Sequence, residues 1–238
     1  MNKNVSLLAI SYVFGFTAAT ITVFLSGIIG SQIASIKSLA TLPTALTVVG
    51  TAVFAALAAK IMSKIGRKLG FILASLASSI ICLLAAYAIY DRNFILFCIA
   101  NLILGACMAF THQYRFAAAE SVEKDKAPKA ISIIMLSGIV AAFLGISSAN
   151  YTKDLFTDFQ YVGSYITLAI FMFMPTIFFS FYENKNTSET EFSKNHTGRS
   201  YFEIILQPRF LQAITAAAFA YAIMSFLMTA TPMSMHLM

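Results

Sequence analysis

Seven long stretches of the chain contain no Asp, Glu, Lys or Arg. Each is at least 22 residues long, and they cover residues 4–36, 38–59, 69–90, 93–114, 130–152, 159–182 and 210–238. Their apolar residues, mainly Ala, Ile, Leu and Phe, run continuously and do not alternate with polar ones. About 20 apolar residues in a helix cross the ~30 Å hydrocarbon core of a bilayer, whereas barrel strands are shorter and alternate. The pattern therefore predicts seven transmembrane helices.

The composition agrees with this prediction. Hydrophobic residues make up 59% of the 238 positions and charged residues only 11%, whereas about one quarter of a soluble domain is charged. The net charge of +6 does not indicate a nucleic-acid partner, because the basic residues form short clusters between apolar stretches. We therefore expect an all-α, multi-pass integral membrane protein whose surroundings are the lipid bilayer.

The distribution of basic residues predicts the orientation. If the N-terminus is inside, the inner segments hold twelve Lys and Arg residues and the outer connections hold three. The inner segments are the start of the chain at Lys3 and residues 60–68, 120–129 and 183–209. The outer residues are Lys37, Arg92 and Lys153. Because inner loops carry the excess of Lys and Arg, we expect a cytoplasmic N-terminus in the cell or inner membrane.

One connection differs from the short turns between the other helices. Residues 183–200 are rich in Asn, Ser, Thr and charge, as is typical of a flexible tether. We therefore predict a six-helix bundle over residues 1–182 and a cytoplasmic linker with an interfacial segment over residues 183–209. A seventh transmembrane helix follows over residues 210–238.

The loop after the second predicted helix reads AKIMSKIGRK over residues 59–68. It resembles the first-loop signature of the major facilitator superfamily, G-x-L-A-D-R-x-G-R-R/K. Gly66, Arg67 and Lys68 match, and Lys64 takes the place of the first Arg. Ser63 replaces the Asp, and an alanine replaces the first Gly. In that family the Asp and its basic neighbours form a latch with the other half of the protein. The simpler alternative is a basic inner turn.

Later segments extend the resemblance. Residues 101–105, NLILG, are similar to the R-x-x-q-G pattern of the family's fourth helix, with Asn101 in place of the Arg. Glu120, Pro128 and Lys129 follow in the order found at the end of that helix and in the next loop. The exporter pattern of the fifth helix is absent, since Ile146 stands where a Pro is expected.

The resemblance covers essentially the whole chain, but only the first seven of the superfamily's usual twelve helices. It implies a secondary transporter of a small solute, in which two six-helix bundles rock about a central site. A C-terminal half, in cis or in trans, is then an expected partner. The chain would be a fragment, a truncated gene product or a half that pairs with another chain. We also expect the first, second, fourth and fifth helices to line the cavity.

The fourth predicted helix carries the strongest candidate site. Five residues recur at steps of four, three, four and three, and so share one stripe: Asn101, Gly105, Met108, His112 and Arg115. The functional interpretation is a cavity wall where Arg115 binds an anionic group and His112 takes part in proton coupling. The alternative is that Arg115 extends toward the inner surface and pairs with Glu120 or with phospholipid.

Small and hydroxyl-bearing residues mark faces of three other helices. Ser11 and Thr22 share a face of the first helix with Gly15 and Ser26, and Thr47 lies on the second with Thr51. Ser11, Thr22 and Thr47 are candidate solute contacts, although such residues also mediate close helix packing. The stripe on the fifth helix is assigned to packing and comprises Gly138, Ala141, Gly145 and Ser148.

Missing residue types narrow the chemistry. No Asp or Glu lies deep in any predicted span, so an anionic or zwitterionic solute is favoured over a cation. Cys82, Cys98 and Cys107 lie within apolar stretches without a metal-ligand spacing, and we expect them to be small packing residues. No metal and no cofactor is therefore expected.

Other classes fit less well. A retinal protein needs a Lys in its seventh helix, and residues 210–238 contain none. A G-protein-coupled receptor would place its N-terminus outside, against the charge distribution. Motifs of membrane-embedded enzymes, such as H-E-x-x-H and G-x-S-x-G, are absent, so we expect no enzyme. A channel, or a seven-helix membrane receptor or binding protein, remains the alternative to a transporter.

Overall fold

The computed structural model describes residues 2–156, 159–183 and 206–237. The chain divides into two compact units, Met1–Asn184 and Lys185–Met238. The described residues contain helices and connecting turns but no strand, which confirms the all-α prediction.

The described residues of the first unit form seven α-helices, which make up six spans. They are α1 (Lys3–Ile33), α2 (Leu42–Ile65), α3 (Arg67–Tyr90), α4 (Phe94–Thr111), α5 (Tyr114–Glu120), α6 (Ala127–Thr152) and α7 (Val162–Ser180). Short 3₁₀ helices at Lys37–Leu39 and Lys124–Lys126 precede α2 and α6. Proline in the first turn starts both of these helices, because its fixed φ suits that position and its missing N–H is not needed there.

Local signals also explain the shorter connections. Asn93 caps α4, since its side chain accepts a hydrogen bond of 3.0 Å from the Leu96 N–H. Gly66 separates α2 from α3 with a φ of 85°. This is a conformation that glycine adopts without steric cost, and it allows two spans to reverse direction at one residue.

The fourth span is interrupted. Its hydrophobic stretch predicts one helix, but α4 ends at Thr111 and α5 begins at Tyr114. Between them the backbone tightens to 3₁₀-type hydrogen bonds, such as Gln113 N–H to Phe110 O at 3.0 Å. The two helices still form a single span, Phe94–Glu120.

The second unit contributes α8, Pro208–Leu237. Its first part, Pro208–Leu227, is apolar enough to cross a membrane, so the described chain has seven candidate spans as predicted. The predicted linker and interfacial segment covers residues 183–209, and its residues 184–205 lie outside the part of the chain that the structure describes.

Helices α2 and α4 meet backbone to backbone at two glycines. A Cβ added to Gly50 would overlap the carbonyl oxygen of Leu102, and one added to Gly105 would overlap that of Thr47. At the same crossing the Thr51 hydroxyl donates to the Gly105 carbonyl at 3.0 Å. Lipid supplies no hydrophobic drive to bring spans together, so such close contact is what holds them.

Helices α1 and α6 pack in a similar way. A Cβ at Gly138 would lie 3.3 Å from Cε1 of Tyr12, and one at Gly145 would overlap the Thr20 hydroxyl. Ala141, between the two glycines on the same face, is fully buried. These contacts agree with the assignment to packing for Gly138, Ala141 and Gly145, whereas the hydroxyl of Ser148 donates to the Gly145 carbonyl of its own helix at 2.9 Å.

A buried aromatic layer closes the bundle at the end where α1 begins, called here the Lys3 end. The rings of Phe71, Tyr114 and Phe179 have centroids 4.7 to 5.1 Å apart and are almost fully buried. Edge contacts between rings favour such a layer, and it joins α3, α5 and α7.

We predict that the Gly105 contact is a main determinant of bundle stability. Gly105→Ala should destabilise the chain by about 1–3 kcal/mol, because the added methyl group meets backbone that cannot rotate away. The measurement is the midpoint of thermal unfolding in detergent. Ile103→Ala, on the exposed face of the same helix, is the control. Equal midpoints for the two variants would contradict this account.

Candidate functional site

Four residues form a polar and aromatic group between α1 and the junction of α4 with α5. This group, called here the Arg115 cluster, consists of Tyr12, Phe16, His112 and Arg115. Tyr12 and Phe16 lie one turn apart on α1, and their rings stack with centroids 5.0 Å apart and planes 14° apart. Phe16 meets the His112 ring edge to face at 6.2 Å.

Arg115 supplies the charge of the cluster. It lies in the first turn of α5, just after the tight turn at His112, and is half-buried. Its guanidinium is close enough to His112 and Tyr12 for electrostatic interaction, and its Cζ lies 5.0 Å from the Phe116 ring centroid. Within the described chain, its buried Nε has no hydrogen-bond partner. The side chain therefore keeps at least one buried donor for a ligand or water.

The sequence alternative that pairs Arg115 with Glu120 is wrong. Glu120 is held instead by Arg67, which donates from Nε to Oε2 at 2.7 Å and from Nη2 to Oε1. This two-point geometry matches a guanidinium to a carboxylate and uses both of its oxygens. No carboxylate of residues 2–156, 159–183 or 206–237 forms an ion pair with Arg115.

The other predicted end of the helix-four stripe is a closed polar network. Asn101 is fully buried, and its Oδ1 accepts hydrogen bonds from Ser26 at 3.2 Å and Thr47 at 3.3 Å. Its Nδ2 donates to the Phe97 carbonyl at 2.8 Å. The Tyr165 hydroxyl lies 3.1 Å from the Ser26 hydroxyl. This network joins α1, α2, α4 and α7, and its groups satisfy one another.

Asn101 and Arg115 are therefore separate sites. Fourteen residues of mostly helical chain place them about 20 Å apart along the span. The structure places Arg115 near His112 and Thr47 within hydrogen-bond distance of Asn101. In this conformation Asn101 and Thr47 face one another and not an open cavity.

The two remaining candidates on α1 are buried. The Thr22 hydroxyl donates a hydrogen bond of 2.6 Å to the Ala18 carbonyl of its own helix. Ser11 is fully buried, and its hydroxyl has no partner in the described part of the chain. Ser11 directly precedes Tyr12, so its unpaired hydroxyl lies close in the chain to the Arg115 cluster.

The loop motif connects three helices at the Lys3 end. Arg67 joins α3 to the end of α5, and Lys68 Nζ donates to the Ser180 carbonyl at the end of α7 at 2.7 Å. Ser63 and Lys64 are exposed, and the Ser63 hydroxyl donates to the Lys60 carbonyl of its own helix. The matching positions of the motif therefore make the contacts between helices.

A second ion pair closes the same end. Lys3 Nζ lies 2.8 Å from Oε1 of Glu183, and this hydrogen bond holds the pKa of Glu183 below its usual value. The Asn4 side chain donates to the Glu183 carbonyl at 2.8 Å. The start of α1 is thereby tied to the residues that follow α7.

Sequence reasoning did not select Tyr12, Phe16 or Tyr165. The available signal for the first two was an aromatic pair at i and i+4 within a span, and for Tyr165 a hydroxyl in an apolar stretch. Among the described residues, no three His, Cys, Asp or Glu side chains gather closely enough to hold a metal ion.

Comparisons with known proteins complement the geometry of the site. The Major Facilitator Superfamily profile matches residues 6–237. The riboflavin transporter RfnT of Brucella anthropi is 31% identical over 235 residues, which cover 98% of this chain and 58% of that protein. The chain thus spans little more than half the length of this relative. No solved structure matches the chain. With seven candidate spans, the motif at residues 59–68 and a profile match over nearly its whole length, the chain belongs to the major facilitator superfamily.

Proposed function

We propose that this chain forms the N-terminal bundle of a secondary transporter that moves a small solute across the membrane by alternating access. The observation that carries the proposal is the Arg115 cluster. A charged side chain within a span is costly unless it faces protein, water or a ligand, and the buried Nε of Arg115 has no partner in the described chain. The family and the named relative support the same function.

The cluster suits a planar solute with hydrogen-bond acceptors on one edge. Tyr12 and Phe16 offer aromatic rings, and the Arg115 guanidinium offers donors in one plane. Riboflavin has both features, an extended aromatic ring system and carbonyl oxygens at its edge. Because the relative is named a riboflavin transporter, we propose riboflavin as the solute to test first. Flavin mononucleotide, which adds a phosphate, tests the preference for an anion expected from the sequence.

His112 gives the cluster a group that can carry a proton. It contacts Phe16 and lies beside Arg115, so its protonation would place two positive charges next to each other. Such a pair is unfavourable unless a solute or a proton acceptor separates the two charges. We propose that His112 couples solute binding to proton movement.

A second bundle, in the same chain or another, completes the proposed cavity opposite the Arg115 cluster. The support is the length of the relative, of which this chain matches 58%, and the two-bundle architecture of the family. The alternative of a channel differs in its kinetics, because a carrier saturates with solute and a channel conducts without a conformational cycle.

We further propose that the Lys3 end is cytoplasmic. Lys3, Arg67 and Lys68 all lie at this end of the first unit. The count of twelve inner against three outer basic residues supports the same orientation.

The solute role of Arg115 has a direct test in the full-length protein. Arg115→Ala should weaken riboflavin binding by about 10–100-fold, the loss expected when hydrogen bonds from a charged donor are removed. Arg115→Lys keeps the charge but not the planar set of donors. Its affinity for riboflavin should therefore lie between those of the unsubstituted protein and of Arg115→Ala. Binding is measured by quenching of flavin fluorescence in detergent.

Arg92→Ala, at an exposed position in a connection, is the control for charge removal. If Arg115→Ala binds riboflavin and flavin mononucleotide as well as the unsubstituted protein does, but inserts poorly, the interpretation as an anchor to the membrane surface replaces this one.

The orientation is tested by reporter fusions. A phosphatase fused after Arg92 should be active, because that connection is predicted outside, and one fused after Ser193 should be inactive. A green fluorescent protein at the same two positions should give the opposite pattern. The reverse result for both reporters would overturn the cytoplasmic assignment of the Lys3 end.

A further inference from the structure

A groove of about 580 Å³ opens on the first unit far from the Arg115 cluster, at the end opposite Lys3. One wall is the last two turns of α3, with Leu83, Tyr87 and Tyr90, and the other is the start of α7, with Val162 and Ile166. The connection between α6 and α7 closes the end of the groove nearest Tyr90 through Leu155, Phe156 and Phe159. The groove is within the size range of small-ligand sites, about 300–1,000 Å³.

A local hydrogen bond holds the connection between α6 and α7 in its conformation. Tyr161 has a φ of 71°, and its N–H donates to the Lys153 carbonyl at 2.7 Å, which folds the connection back onto itself. The Phe159 ring then rests against Tyr90, with centroids 4.4 Å apart. The described part of this connection is thus held in place against α3.

The groove faces outward from the bundle. Leu83, Tyr87 and Tyr90 are 50%, 56% and 53% exposed. They continue a stripe of exposed apolar residues along α3 that includes Leu73 and Ile80. Because α3 is a candidate span and is not among the helices expected to line the cavity, we infer that this stripe faces the hydrocarbon of the bilayer.

The chemistry changes along the groove from apolar to polar. From Leu83 to Tyr90 it runs about 10 Å along the helix axis. Tyr90 is the last residue of α3, where tyrosine is typical of the boundary between hydrocarbon and headgroups. Lys153 and Asp154 directly precede Leu155 of the groove wall and carry opposite charges, with Nζ and Oδ2 3.9 Å apart and both side chains partly exposed.

We propose that this groove binds a zwitterionic glycerophospholipid with a primary ammonium group, such as phosphatidylethanolamine. One acyl chain lies along Leu83, Tyr87 and Ile166, and the Tyr90 hydroxyl is at the level of the ester groups. Lys153 binds the phosphate and Asp154 accepts hydrogen bonds from the ammonium, in addition to the one it accepts from Gln160 at 3.2 Å. The loose pair of side chains matches the two charges of the headgroup.

The chain contains no tryptophan, so a single introduced tryptophan reports its own lipid environment. Tyr87→Trp places the reporter in the groove. Leu73→Trp, on the same outward stripe of α3 but about 15 Å from Leu83 and beyond the reach of the bound acyl chain, is the matched control. Both proteins are reconstituted in phosphatidylcholine with increasing fractions of phosphatidylethanolamine that carries brominated acyl chains, which quench tryptophan fluorescence on contact.

At Leu73→Trp, quenching should follow the bulk lipid fraction. At Tyr87→Trp, it should indicate a preference of about fivefold for phosphatidylethanolamine, and adding Lys153→Gln with Asp154→Asn should remove that preference. Bulk behaviour at both positions would overturn the proposal, as would a preference that survives the loss of both charges. A stronger preference for brominated phosphatidylglycerol would overturn the headgroup assignment. Tyr90→Trp repeats the measurement if Tyr87→Trp does not fold.

Discussion

The hydrocarbon core of a bilayer offers no hydrogen-bond partner, and each main feature of this bundle follows from that constraint. The backbone of the described spans pairs within helices, which leaves the side chains to join one helix to another. They do so at a few places where polar groups meet, chiefly around Asn101, and at glycines where backbones touch. Charged pairs within the first unit lie at the ends of its spans.

Arg115 is an exception, because it is a charged residue that lies within a span of the described chain and not in an ion pair at its end. The carboxylate nearest to it in the chain, Glu120, is already held at two points by Arg67. A cation left with a buried, unpaired donor among aromatic rings is unfavourable in an isolated bundle and useful in one that receives a solute. The pairing of Glu120 with Arg67 therefore has two consequences: it joins helices at the Lys3 end, and it leaves Arg115 available for the proposed function.

The sequence was sufficient for the features that depend on length and composition. Seven apolar stretches predicted seven spans, and the small residues Gly138 and Gly145 predicted close packing. The motif at residues 59–68 predicted the family. These signals are local, so neighbouring residues carry all the information.

Features that depend on which residues meet across the bundle were not accessible in this way. Periodicity placed Asn101 and Arg115 on one stripe, but it does not distinguish a stripe that faces other helices from one that faces a cavity. The tight turn at His112 contains neither proline nor glycine, so no residue type announced it. Glu120 pairs with Arg67 and not with Arg115 because of the position of the start of α3, and Arg67 lies 53 residues from Glu120 in the chain.

That turn has a mechanical consequence. Helix α5 has seven residues, with the turn at His112 before it and the Arg67 contact on its last residue, Glu120. Its first residue, Tyr114, packs against Phe71 of α3, so both ends of α5 are attached to the same helix. A movement of α3 as a rigid body would therefore carry the whole of α5 with it and bend the chain at the turn. The Arg115 guanidinium would change its position relative to α4, and motion that begins at the membrane surface would reach the middle of the span.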